Sequence, residues 1–143
     1  MQIEQEMTPS GAASFSSAGV ANAPGVVATV VVCQPAPRLP EVLSSLAAQD
    51  YPNLQVVVLV VGADESALTV TSGVVAETVP AAHVRQIGGN PGFGPAANSV
   101  LRLVEGDSGF FLLMHDDVAL DPGAVTAMLE EVYRSNAGIV GPK

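Results

Sequence analysis

Two hydrophobic textures alternate along this chain. Short unbroken runs of β-branched and large apolar residues give way to segments whose apolar positions recur every three or four residues. The first run, "VVATVVVC" (Val26 to Cys33), has no polar alternation. That pattern predicts a strand covered on both faces. Pro35 and Pro37 then mark a loop, and "LPEVLSSLAAQ" follows, with Leu39, Val42, Leu43 and Leu46 on one stripe and Pro40 in the first helical turn. "DYPN" breaks that helix, and "LQVVVLVV" (Leu54 to Val61) is a second buried strand.

The alternation continues. Asp64 stands where it caps a helix over roughly Glu65 to Glu77, although Gly73 and several β-branched residues weaken the helical pattern. "HVRQI" (His83 to Ile87) is a short third strand. After the loop "GGNPGFG", Pro95 opens a helix that turns Ala96, Ala97, Val100, Leu101 and Val104 inward. "FFLLM" (Phe110 to Met114) is a fourth strand. Asp121 and Pro122 cap and start a helix to about Arg134, and "GIV" (Gly138 to Val140) begins a fifth strand.

Strands separated by helices predict an α/β fold, a doubly wound, mostly parallel sheet in three α/β/α layers. Residues 1–24, rich in Ser, Ala, Gly and Pro, read as a disordered low-complexity tail, and residues 25–143 as one domain. In such sheets ligands bind beyond the carboxyl ends of the strands. Two unusual stretches fall on that edge: His115-Asp116-Asp117 after the fourth strand and the glycine-rich loop after the third.

Composition narrows the chemistry. The chain has 143 residues and a formal net charge of -9, and Arg38, Arg85, Arg102, Arg134 and Lys143 are scattered singly. Such a surface repels phosphate backbones, which argues against nucleic acid. A phosphate ligand would need a divalent metal to neutralise it. The single cysteine, Cys33, makes no internal disulfide, which fits a reducing compartment, and it reads as a small core residue at a strand end. No apolar run approaches the roughly 18–20 residues that span a bilayer. Glu4 and Glu6 replace the basic start of a signal peptide. These features predict a cytoplasmic domain, with membrane association only through parts outside this chain.

His115-Asp116-Asp117 admits two readings. One is a turn in which Asp caps the backbone. The other is a metal or ligand site, because adjacent carboxylates repel unless a cation or donors lie between them. Asp121 already serves the next helix, so the pair is surplus to capping. Hard oxygen ligands favour Mg²⁺ or Mn²⁺, and an imidazole tilts the choice toward Mn²⁺. The loop Gly88 to Asn98 offers glycines for close backbone approach and a helix N-terminus for an anion. It also matches a dinucleotide fingerprint, Gly92-x-Gly94-x-x-Ala97, but that fingerprint belongs to a first strand-helix turn, and two units precede this one.

"LSSLAAQDYPNLQVVVL", "GGNPGFGPAANSVL", "FFLLMHDDVALDPGAV" and "NAGIVGPK" together resemble family 2 glycosyltransferases of the GT-A fold, over about Val26 to Lys143. The last two stretches are similar to long actinobacterial members that carry membrane segments further on. The resemblance implies inverting transfer of a sugar from a nucleotide-diphosphate donor to an acceptor hydroxyl of a glycan or lipid-linked molecule. His115, Asp116 and Asp117 take the positions of the family's Asp-x-Asp motif, with Asp117 and His115 toward a divalent metal, Mn²⁺ or Mg²⁺. Asn90, Gly92, Phe93, Gly94, Asn98, His115 and Asp116 are the implied donor-binding residues, with Asp64 a further candidate. Val60-Val61 stand where the family usually carries acidic residues that read the base, and "CQPAP" where it commonly reads Pro-x-Tyr-Asn. The resemblance places the catalytic base beyond this chain, so no residue here is assigned to it. Two alternatives are a non-catalytic scaffold of the same fold and a dinucleotide-binding oxidoreductase domain.

Overall fold

The computed structural model describes residues 23–62, 64–104 and 109–143. The expected tail therefore lies almost wholly outside the described residues. Four strands form one sheet: β1 (Gly25–Val32), β2 (Leu54–Val61), β3 (His83–Ile87) and β4 (Gly109–His115). All pairings are parallel, in the order β3-β2-β1-β4. Helices α1 (Leu39–Ala47) and α2 (Glu65–Thr78) connect the first three strands. Helix α3 (Phe93–Asn98) runs into a 3-10 turn (Ser99–Arg102), and α4 (Ala124–Ser135) follows β4. The expected α/β class and parallel sheet are both present.

Every residue of β1 is buried, and the alternation of its side chains assigns each helix to a face. Val26, Ala28, Val30 and Val32 point to the side of α1, α2 and α4. Leu39, Val42, Leu43 and Leu46 of α1 pack there with Val75 of α2 and Met114 of β4. Val125 and Leu129 of α4 extend the same layer against Val26. Val27 and Val31 point the other way, with Val57, Leu59 and Val61 of β2, beneath Ala96, Ala97, Val100 and Leu103. Small Ala96 and Ala97, both fully covered, let α3 lie close to the sheet.

The chain runs from β1 outward to β2 and β3, then crosses back to β4 on the opposite side of β1. That crossing uses α3 on the second face, as right-handed crossovers require. The strand order therefore reverses between β1 and β4, and their carboxyl ends leave a crevice there.

Three details differ from the sequence expectation. Gly138–Val140 forms no strand, and β4 is an edge of the sheet among the described residues. Phe111 and Leu113, on the α3 face of β4, are 38% and 50% exposed, because α3 reaches over β1 and β2 but not β4. Helix α3 begins at Phe93, not Pro95, and Leu101, expected to turn inward, is 50% exposed. Cys33 is exposed instead of packed in the core, since β1 ends one residue before it.

The start of β1 is held by the segment before β2. Val26 N–H donates to the Asn53 carbonyl, the Asn53 amide donates to the Ala23 carbonyl, and the Tyr51 hydroxyl donates to the Pro24 carbonyl. Burial pushes the Tyr51 phenol above its ordinary value of 10.0, with Tyr133 adding to the effect. A raised folded-state value means the contribution is complete below about pH 10 and is lost as pH rises through the folded value. Denaturant titrations are therefore expected to show the stability gap between wild type and Tyr51→Phe narrowing above that pH.

Thr29, fully buried on the α3 face, aligns between Val57 and Leu113, and its hydroxyl has no hydrogen-bond partner among the described residues. An unpartnered buried hydroxyl costs free energy that an isosteric methyl does not. Thr29→Val is expected to stabilise the domain by about 1 kcal/mol, read from the urea midpoint.

Candidate functional site

A cleft of about 180 Å³ opens at the reversal point, lined by Val31, Cys33, Gln34, Val61, Asn90, Gly92, Phe93, His115 and Asp116. Three strand ends and one helix start supply it. Val31 and Val61 close it with aliphatic surface from β1 and β2. Cys33 and Gln34 come from the loop leaving β1, and the Gln34 side chain makes no hydrogen bond among the described residues.

Register explains why His115 belongs here. It pairs with Val31, so its ring points to the α3 face. There it stacks on Phe93, with ring centroids 4.1 Å apart and planes 21° from parallel. The first residue of α3 and the last of β4 thus form one aromatic wall. Asp116, the next residue, points toward the loop after β1, where its Oδ2 accepts the Ala36 N–H at 3.2 Å. That bond ties together the loops leaving the two strands that flank the reversal point.

The glycine-rich loop enters α3 through Gly92, whose φ of 86° and ψ of 173° suit glycine. The Asn90 side-chain oxygen accepts the Gly92 N–H at 3.4 Å, a turn that sets this bend. A Cβ at Gly92 would meet nothing within 4 Å, so only the backbone forbids a side chain. Gly92→Ala is expected to cost roughly 1–3 kcal/mol of stability, measured by urea unfolding.

The cleft brings together Asn90, Gly92, Phe93, His115 and Asp116 of the residues expected from sequence. Gly94 and Asn98 are exposed on α3 outside it. Asp64 is also outside; its Oδ1 accepts the Ser66 and Ala67 N–H groups at 2.8 and 3.4 Å as the cap of α2. Asp117 is exposed on the turn after β4. The Arg38 guanidinium is pushed above its ordinary value by its hydrogen bonds to Glu41 at 2.8 Å, with a further contribution from Asp117. Among the described residues, no three His, Cys, Asp or Glu side chains gather as a metal-binding group.

Sequence reasoning placed Val61 and the "CQPAP" loop with Cys33 and Gln34 at pocket positions only as departures from the family pattern, and it did not single out Val31. The signal was present in their positions, at or just past the carboxyl ends of β1 and β2. It also misassigned the cap of α4. The Asp121 side chain makes no capping bond; its carbonyl accepts the Ala124 N–H. The cap comes instead from Gln49, whose Oε1 accepts the Val125 N–H at 3.0 Å. A residue 76 positions away cannot be read as a cap from local spacing.

A doubly wound parallel sheet with a cleft at its reversal point is the architecture in which α/β domains bind nucleotides. The chain belongs to a specific group of these: the family model described as "Glycosyltransferase like family 2" matches residues 24–143. The structure is similar to that of S. aureus TarS, with a TM-score of 0.60 and 19% identity over 83% of this chain and 23% of that one. TarS 1-349 in complex with UDP-GlcNAc gives 0.59 and 18%, over 83% and 37% of the two chains. The mannosyltransferase PcManGT from Pyrobaculum calidifontis, in complex with GDP-Man and Mn2+, gives 0.56 and 20%, over 82% and 39%. This chain spans less than two-fifths of the length of these neighbours. No curated protein matches it.

Proposed function

We propose that this chain is the donor-binding domain of an inverting glycosyltransferase, taking a nucleotide-diphosphate sugar with a divalent cation at the β1/β4 reversal point. The observation that carries the reading is the convergence of Asn90, Gly92, Phe93, His115 and Asp116 on one cleft. Membership of the glycosyltransferase family supports it. So do two structural neighbours, one in complex with GDP-Man and Mn2+ and the other with UDP-GlcNAc.

The residues suit a cation held partly by its substrate. Mg²⁺ and Mn²⁺ at phosphate sites use one or two carboxylates, with phosphate oxygens and waters completing the shell. Asp117 supplies an exposed carboxylate, and the His115 ring nitrogens make no hydrogen bond among the described residues. Asp116 is already bonded to Ala36 and serves to hold the turn. When bound, the cation offsets charge developing on the leaving diphosphate. This chain's residues meanwhile fix the donor: Val31 and Val61 exclude water from one wall, and Gln34 and Asn90 present neutral amides. With Val61 at the end of β2, base recognition rests on those amides and on backbone groups, not on a carboxylate. The acceptor is a hydroxyl of a glycan or lipid-linked molecule, and the reaction is cytoplasmic. No helix among the described residues is long and apolar enough to cross a membrane.

Calorimetric titration with UDP and with GDP, each in Mn²⁺ and then in EDTA, tests the reading. Binding is expected in Mn²⁺, with at least a tenfold loss in EDTA and in Asp117→Ala, equivalent to about 1.4 kcal/mol. Metal-independent binding, or none with either nucleotide, would favour a non-catalytic scaffold of the same fold.

A further inference from the structure

The loop that carries Asp116 and Asp117 is held at both ends by α1 and the segments flanking that helix. At its near end Asp116 accepts the Ala36 N–H, three residues before α1 begins. At its far end four groups grip it. The Ser45 hydroxyl accepts the Leu120 N–H at 3.1 Å while donating to the Val42 carbonyl. Asp50 N–H donates to the Pro122 carbonyl at 2.9 Å, and Asp50 Oδ1 accepts the Thr126 hydroxyl at 2.6 Å. Gln49 joins the rest: its Nε2 donates to the Ser45 carbonyl at 3.0 Å and the Asp121 carbonyl at 2.8 Å, and its Oε1 accepts Val125 N–H.

Both donors and the oxygen of one amide are thus engaged, joining the end of α1 to the loop and to the first turn of α4. Gln49 does not line the cleft. Asp117 lies between the two anchored points, exposed, with no hydrogen bond of its own among the described residues. Its position therefore follows from the anchors on either side.

We propose that Gln49 is a positioning residue: from outside the cleft it fixes the loop bearing Asp116 and Asp117 relative to β1, and so sets where the donor's cation is met. The consequence for the donor rests on the proposed function; the mechanical part does not. A residue with a merely structural role would lose stability and affinity together. Gln49→Glu separates the two. Its carboxylate still accepts Val125 N–H and suits the N-terminus of α4, but it cannot donate to the Asp121 carbonyl or to the Ser45 carbonyl.

The test compares wild type, Gln49→Ala and Gln49→Glu by amide hydrogen exchange, thermal unfolding and Mn²⁺-dependent UDP and GDP titration. Gln49→Glu is expected to melt near wild type, to exchange about tenfold faster over residues 116–121, and to bind nucleotide about tenfold more weakly. Gln49→Ala is expected to show the same loosening with a lower melting temperature. Wild-type exchange over residues 116–121 in Gln49→Glu would overturn the proposal, as would wild-type affinity in a variant whose loop has loosened. If wild type binds neither nucleotide, the donor reading falls, and the exchange comparison still decides whether Gln49 holds the loop.

Discussion

β1 is hydrogen-bonded to β2 on one side and to β4 on the other, and its side chains are buried against helices on both faces. Every other element takes its place from that strand. Because its neighbours in space, β2 and β4, are reached by crossovers in opposite directions, the reversal of strand order falls along its β4 side. The cleft is the outcome of that topology. Its walls are the points where β1, β2 and β4 stop and where α3 begins, and no element had to be added to make it.

A parallel sheet of this kind depends on both faces being covered. The coverage is uneven here. Helices α1, α2 and α4 close one face, whereas α3 and its 3-10 extension close β1 and β2 on the other and stop short of β4. Phe111 and Leu113 are left partly exposed as a result, while His115, two residues further along the same face, is met by Phe93.

Helix α1 has a second role beyond packing. Its buried stripe of Leu39, Val42, Leu43 and Leu46 fixes it to the sheet, and its polar groups hold the loop after β4. A rigid apolar attachment on one side lets polar contacts on the other act as a frame. The pair Asp116-Asp117 divides accordingly: the first carboxylate accepts the Ala36 N–H, and the second stays exposed.

The strands, the helices and the sheet class were legible in the sequence because each depends on local periodicity and on apolar runs long enough to be buried. The bounds of β2 and β3 agree with the pattern, and Asp64 caps α2, because its amide partners lie within three residues. The motif residues Asn90, Gly92, Phe93, His115 and Asp116 were also legible, as punctuation at strand ends. What the tertiary structure alone decided were the partners separated by long stretches of chain. The Asp116 bond to Ala36 spans 80 residues and the Gln49 cap of α4 spans 76, and the second replaces the local assignment of Asp121 that spacing made plausible. The expected fifth strand at Gly138–Val140 failed for a related reason. The β-branched pair Ile139-Val140 favours extended structure, but a strand exists only where its hydrogen bonds are made to a neighbour, and no such pairing forms here among the described residues.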